Sequence, residues 1–208
     1  MQSRPAVIVL AAGTGSRFTA PGHKLTQDLG SSSVLASTLR HAIATHLPVV
    51  VVTTDMLADA ARRHVASRDV VVLPAVGTPG PQPLGMGYSI AAGVAARPDA
   101  TGWLVLPADM PMVRTDTVLA VAAALDQHPV AYAQHNGRRG HPVGFGAELY
   151  SELVTLSGDE GARRLVARYP AHGVDVDDPG ALIDVDTEAD LAQLRLVHAA
   201  HLAATASQ

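Results

Sequence analysis

Apolar residues fall in short blocks along this chain, separated by polar and glycine-rich stretches. Residues 6–10, 49–52, 70–73 and 103–106 are unbroken apolar runs, dominated by Val and Leu. Runs this short and this β-branched read as strands buried on both faces. Between them the period lengthens. Leu35, Leu39, Ala42 and Ile43 recur at helical spacing, so 34–46 is expected to be a helix, capped from the Ser31–Ser33 triplet and broken by Pro48. A second helix is expected over 56–65, with its charges outward. The opening order is β-α-β-α-β, which predicts a parallel sheet with helices on both faces.

The second half is less regular. Residues 74–83 carry too many Gly and Pro for a helix or an inner strand and read as a long loop. Gly85 to Ser89 then lead into a small-residue helix at 90–96. That glycine-flanked start is either a ligand wall or the seat of a closely packed crossover helix. Thr115 or Asp116 caps a helix running to 125. A strand at 130–134, the Asn136-Gly137 turn and a short strand at 142–145 make a hairpin, so the sheet is expected to be mixed. Helices are expected at 147–155 and 161–169, the second opened by a Ser157-x-x-Glu160 capping box, with a further strand at 173–176. Alternation over 182–186 puts Asp184 and Asp186 on one face. Thr187 with Asp190 resembles a second capping box, ahead of a last helix at 189–203 with Leu191 and Leu194 inward.

Composition narrows the class. With 208 residues and 48% apolar content, the chain is long enough for one substantial core, and one domain over 1–208 is expected. There are only two Phe and one Trp, so small side chains allow close helix–sheet packing. The absence of Cys excludes a disulfide framework, a thiolate nucleophile and a Cys zinc site. A formal charge of −4 argues against nucleic-acid binding, and no basic arm compensates for it. No run has the length of a membrane span and the N-terminus lacks a signal-peptide core, so a soluble cytoplasmic protein with no membrane partner is expected.

The candidate chemistry begins where the first strand ends. Gly13 and Gly15 make a loop whose backbone N–H groups can form a nest for phosphate oxygens, and Arg17 and Lys24 follow as a fork and a point charge. The spacing is neither the dinucleotide G-x-G-x-x-G nor the P-loop, so this loop alone is either a phosphate cradle or an ordinary strand-to-helix turn. Asp109 follows the strand at 103–106 between two prolines. It suits Mg²⁺, which takes carboxylate oxygen beside substrate phosphates; the alternative is a turn aspartate bonded to nearby N–H groups. Asp186, with Asp184 as alternate, is either a second metal carboxylate or part of a helix cap. Arg138, Arg139 and His141 form a cationic cluster that either closes over a substrate or tips a solvated hairpin.

Six segments together resemble the molybdenum cofactor nucleotidyltransferases, the cytidylyltransferase branch in particular. They are 10–18 with Lys24, Gly85-Met86-Gly87-Tyr88-Ser89, Leu106-Pro107-Ala108-Asp109-Met110-Pro111, Gly140-His141-Pro142-Val143, Gly158-Asp159-Glu160-Gly161-Ala162-Arg163 and Asp184-Val185-Asp186-Thr187. They occur in the family's order and cover nearly the whole chain. The resemblance implies a three-layer, Rossmann-like nucleotidyltransferase fold of GT-A-like type, with a central mixed, mostly parallel sheet. It implies transfer of a nucleoside monophosphate from a triphosphate to a phosphorylated pterin cofactor bearing molybdenum, with release of pyrophosphate and a transient contact with a molybdenum hydroxylase. Ala12 in Leu10-Ala11-Ala12-Gly13 stands where the guanylyl branch usually has glycine, which implies CTP.

On this resemblance Leu10, Ala11, Ala12, Gly13 and Gly15 bind the nucleotide. Arg17 and Lys24 bind it too and act in catalysis with Asp109. Mg²⁺ sits on Asp109 and Asp186, and Ser89 and His141 meet the acceptor. Ser89 is otherwise a helix cap and His141 a satisfied structural histidine. The chain departs from the family at Tyr88, where a small polar residue is common, and at Ser31–Ser33, where a Gly-Lys-Pro-like segment often stands. The rival readings are the same chemistry on another phosphorylated acceptor, such as a sugar phosphate, and a non-catalytic nucleotide-binding chaperone.

Overall fold

A computed structural model describes residues 4–74 and 85–205, with side chains in the last helix described as far as Val197. In chain order the elements are β1 (Ala6–Ala11), a 3-10 turn (Lys24–Thr26), β2 (Asp28–Leu29), β3 (Ser32–Ser33), α1 (Val34–Ala44), β4 (Val49–Thr54), α2 (Asp55–Arg62) and β5 (Val70–Leu73). There follow α3 (Met86–Ala95), β6 (Gly102–Pro107), α4 (Thr115–Ala124), β7 (Val130–His135), β8 (Arg138–Gly146), α5 (Tyr150–Leu153), α6 (Arg163–Arg168), β9 (Ala171–Asp175) and α7 (Glu188–Thr205).

Seven strands form one sheet in the order β5-β4-β1-β6-β8-β7-β9. β1, β4, β5 and β6 are mutually parallel where they pair, as are β7 and β9, while β8 runs antiparallel to both its neighbours. The sheet is therefore mixed and mostly parallel, in a Rossmann-like α/β fold. Side-chain alternation builds a core on each face. Val7, Val9 and Ala11 point to one side, with α1, α2, α4 and α7. Ala6 and Ile8 point to the other, with α3, α5 and α6. The scarcity of large side chains has its expected result at Gly93. A Cβ there would stand 2.3 Å from Ile8 Cγ2, so α3 lies against the sheet at a distance only glycine permits.

Most expected elements form, with informative differences. Ser33 caps α1 by accepting from the Ala36 N–H at 3.2 Å. α3 starts at Met86 rather than residue 90, which places Tyr88 and Ser89 inside its first turns. α2 ends at Arg62, three residues early. The returning strand β8 spans nine residues, because it pairs on both edges and continues to the hairpin tip. The Ser157–Glu160 capping box does not form: α6 starts at Arg163 behind Ala162, with no side-chain cap bond. The 3-10 turn at Lys24–Thr26 and the β2–β3 hairpin were not foreseen. The loop expected over 74–83 lies outside the described residues beyond Pro74.

β1 is where the sheet's winding reverses, with β4 on one side and β6 on the other. At such a switch point the loops leaving two adjacent strand ends diverge and open a crevice. Here those loops are the glycine loop after Ala11 and the Pro107–Asp109 turn after β6. Leu10 is in register with Pro107, and the Ala108 N–H donates to the Leu10 carbonyl at 2.9 Å.

Candidate active site

The crevice is a cavity of about 460 Å³, within the range of small-molecule sites. Leu10, Ala11, Ala12, Gly13 and Gly15 form its floor and one wall. Gly15 takes φ +61°, a left-handed conformation that a side chain resists. Arg17 and Lys24 stand at the loop's far end. Asp109 enters from the turn after β6, Asp184 and Asp186 from the irregular stretch before α7, and Ser89 from α3. His141 reaches the cavity from β8.

Lys24 is at the centre of the charge. Its ammonium donates to Asp109 Oδ2 at 2.6 Å and to Asp186 Oδ1 at 2.9 Å, and only 8% of the residue is exposed. Arg17, largely exposed, pairs with Asp186 Oδ2 at 2.8 Å. Burial alone would lower the Lys24 pKa, but the hydrogen bonds and charges of the two carboxylates outweigh it and raise it above 10.5. Burial pushes Asp186 up, yet Lys24 and Arg17 prevail and hold it below its ordinary 3.8. Asp184 is raised, by its own burial and then by the Asp186 charge beside it. It is the member of that pair that takes a proton first.

The structure thus brings the two predicted metal carboxylates onto one cation, and Asp186 rather than Asp184 is the one that shares it with Asp109. Val185 carries Asp186 there: its side chain is fully buried and its N–H donates to the Asp109 carbonyl at 2.8 Å. Among the described residues no group of three or more His, Asp or Glu is placed to hold a metal ion. Two carboxylates of hard oxygen nonetheless suit Mg²⁺ or Mn²⁺, which takes one or two protein carboxylates and completes its shell from phosphates and water. Asp109 and Asp186 are the residues that fit it.

Two alternatives raised by the sequence are not met. His141 is not a fully satisfied structural histidine: the ring meets the Val105 backbone, but its Nδ1 is buried without a hydrogen-bond partner among the described residues. Burial pushes its pKa below 6.5, so the ring is neutral near pH 7. Ser89 is not a cap either. Gly85 is the N-cap of α3, and the Ser89 hydroxyl donates back to the Gly85 carbonyl at 3.3 Å.

The cationic cluster divides. Arg138 and Arg139 stay exposed on the hairpin and do not line the cavity, and Arg139 stacks over Tyr132 at 4.4 Å. Arg164 and Arg168 pair with Glu160 and Glu152 on the surface. Of the two readings of the Gly85–Ser89 helix start, the ligand wall is the one the structure supports: Gly85, Met86, Tyr88 and Ser89 line the cavity, and Asp159, which sequence reasoning missed, lines it with them. The one available signal for Asp159 was that it lies in a segment of the family pattern. Sequence reasoning also missed His23, whose ring meets the Gly13 carbonyl and the Leu25 N–H.

Comparison with known proteins agrees with this geometry. Residues 7–174 match the family model of the MobA-like NTP transferase domain. Purine catabolism protein PucB of Bacillus subtilis is 33% identical over 116 residues, 53% of this chain and 56% of that one. Bifunctional protein GlmU of Mycolicibacterium vanbaalenii is 33% identical over 156 residues, 71% of this chain and 30% of that one. The chain therefore spans from under a third to just over half the length of these curated relatives. The crystal structure of Rv0371c from Mycobacterium tuberculosis superposes with TM-score 0.78 at 25% identity, covering 94% of this chain and 99% of that chain. A second structure of Rv0371c is a complex with manganese, with TM-score 0.77 at 26% identity over 94% of this chain and all of that one. The family match runs from β1 into β9, across the glycine loop, Lys24, Asp109 and His141, and on it this chain belongs to the MobA-like NTP transferase domain family.

Proposed function

We propose that the chain is a metal-dependent nucleotidyltransferase, moving a nucleoside monophosphate from a triphosphate to a phosphorylated acceptor with release of pyrophosphate. The observation that carries this is one ammonium, Lys24, held by two carboxylates at the mouth of a glycine loop on the sheet's switch point.

The acceptor phosphate is already anionic and nucleophilic near neutral pH, so no strong general base is required, and Asp109 is not one. What the site must supply is alignment and charge neutralisation. The Gly13–Gly15 backbone and Arg17 hold the β and γ phosphates. Lys24 offsets charge at the α phosphate. Neutral His141 and Ser89 face the acceptor side of the cavity. Mg²⁺ on Asp109 and Asp186 would supply positive charge to the phosphate oxygens and the departing pyrophosphate; the manganese complex of Rv0371c supports a divalent ion in this fold.

The finer reading is cytidylyl transfer from CTP to molybdenum-bearing molybdopterin in the cytoplasm, with delivery to a molybdenum hydroxylase. It rests on the Ala12 methyl, which crowds a purine, and on the six-segment resemblance. A sugar phosphate or another phosphorylated acceptor fits the same chemistry, and the breadth of the relatives favours keeping the acceptor class wide.

The test is pyrophosphate release with Mg²⁺ or Mn²⁺, offering CTP, GTP and UTP against molybdenum-loaded molybdopterin and a panel of sugar phosphates, with Asp109→Asn as control. Release that needs one acceptor and falls at least tenfold in the variant is expected. GTP preference would remove the Ala12 argument and leave the reaction. No release with any pair from folded protein would leave a binding role.

A further inference from the structure

His23 lies one residue before Lys24, and both of its ring nitrogens are engaged. Nδ1 takes the Leu25 N–H at 3.1 Å and so caps the 3-10 turn that carries Lys24. Nε2 lies 3.0 Å from the Gly13 carbonyl oxygen. An amide N–H only donates and a carbonyl oxygen only accepts. One imidazole serves both solely as the neutral ring with its hydrogen on Nε2.

The contact with Gly13 has a consequence inside the cavity. The peptide joining Gly13 and Thr14 is planar and trans, so its C=O and N–H point in opposite directions. Holding the Gly13 oxygen against His23 turns the Thr14 N–H the other way. Thr14 lines the cavity, and among the described residues its N–H has no acceptor. Next along, a Cβ on Gly15 would lie 3.4 Å from Lys24 Cγ and 3.6 Å from His23 Nε2. The ring and the lysine stem thus lie side by side next to the loop at Gly15. Among the described residues, the ring's bond to the carbonyl is the hydrogen bond that ties Gly13 to the Lys24 turn.

We propose that His23 is a positioning residue of the phosphate site. Its neutral imidazole, protonated on Nε2, latches the Gly13–Thr14 peptide to the Lys24 turn, so that a backbone donor and the ammonium address the same polyphosphate. This rests on reading the cavity as a triphosphate site. It makes the histidine a part of phosphate binding that touches no phosphate.

The probe is magnesium pyrophosphate, which needs neither the right base nor the right acceptor. Its affinity is measured by calorimetry for the wild type, His23→Asn and His23→Ala, alongside thermal melting. Asn retains an oxygen for the Leu25 N–H, being a good N-cap, and is too short to reach Gly13. The wild type is expected to bind. His23→Asn is expected to melt like the wild type yet bind about tenfold more weakly, about 1.4 kcal/mol. His23→Ala is expected to show the same tenfold loss and a lower melting temperature as well.

Long-range ¹H–¹⁵N NMR of the unmodified protein should show His23 as the Nε2–H tautomer, a signature that general packing would not impose. Wild-type affinity in His23→Asn, or a ring that is the other tautomer or an imidazolium, would overturn the inference while leaving the nucleotidyltransferase reading intact. A folded wild type that binds no magnesium pyrophosphate would remove that reading, and this inference with it.

Discussion

At the scale of single residues, Lys24 decides the electrostatics of the site. It is nearly buried, it binds both Asp109 and Asp186, and it stands where a divalent ion would share the same two carboxylates. Replacing it with Met leaves two carboxylates together without their counter-ion. Breaking a buried pair in this way costs about 3 kcal/mol, so Lys24→Met is expected to melt well below the wild type. It is also expected to bind Mn²⁺ at least tenfold more tightly in the absence of nucleotide, read by electron paramagnetic resonance, with the gain lost again in the Lys24→Met, Asp109→Asn double variant. Unchanged Mn²⁺ affinity would mean that the ammonium does not compete with metal. Lys24 and Asp109 were legible in the sequence because each follows a buried run and a turn, which places charge at a strand end. Two-residue alternation marked Asp184 and Asp186 together, and Asp186 was preferred because it stands immediately before the cap of the last helix. His23 was not legible, because its role depends on a carbonyl ten residues earlier that only the folded loop brings near.

Elements show how the same spacing succeeds in one place and fails in another. Thr187 and Asp190 form the expected reciprocal cap: the Asp190 carboxylate accepts the Thr187 N–H at 2.7 Å, and the Asp190 N–H donates to the Thr187 hydroxyl at 3.2 Å. Ser157 and Glu160 have the same spacing and make no cap. There the chain is steered by Gly158 and Gly161, both in positive φ, and the Gly158 carbonyl accepts the Gly87 N–H at 2.9 Å, tying the segment to α3 instead. A capping box read from sequence assumes that the local backbone is free to start a helix. A tertiary contact removed that freedom at 157–160.

The Thr187 cap carries a pH dependence. Bonds from the Thr187 hydroxyl and N–H hold Asp190 below its ordinary 3.8. A carboxylate with a depressed folded pKa stabilises above its unfolded pKa, and that stabilisation is lost as pH falls through the folded value. The wild type should therefore lose about 1 kcal/mol more than Asp190→Asn on acidification from pH 5 to below 3, the size of a helix cap. Melting curves of the two proteins across that range would test it, and a gap that does not change with pH would show that the Asp190 charge adds nothing to the cap.

For the whole molecule, the unbroken apolar runs were enough for the layers, because burial on both faces leaves a parallel strand few other places to lie; the strand order that puts the switch point at β1 was not read from them. Nor were they enough for the way the chain returns to the site after β9. That return depends on close approach and on one buried carboxylate. A Cβ on Gly140 would meet the Ala181 carbonyl at 2.2 Å, and one on Gly180 would meet the Met112 carbonyl at 2.1 Å, so residues 179–182 are wedged between β8 and the turn before α4. Asp178, 2% exposed, pins this wedge. It accepts the Arg114 N–H at 2.9 Å, the Thr117 hydroxyl at 2.6 Å and the Gly180 N–H at 3.0 Å. Seven residues later Val185 hands Asp186 to Asp109. Asp178→Ala strands three donors in a buried place, and an unsatisfied buried donor costs about 1–3 kcal/mol. We expect a loss of about 3 kcal/mol in urea unfolding with the slope unchanged. Magnesium pyrophosphate affinity should also fall at temperatures where the variant is still folded, because the segment carrying Asp186 loses its anchor. A loss under 1 kcal/mol would place the support of the wedge elsewhere. Full stability loss with wild-type affinity would show that Val185 alone is enough to hold Asp186 against Lys24.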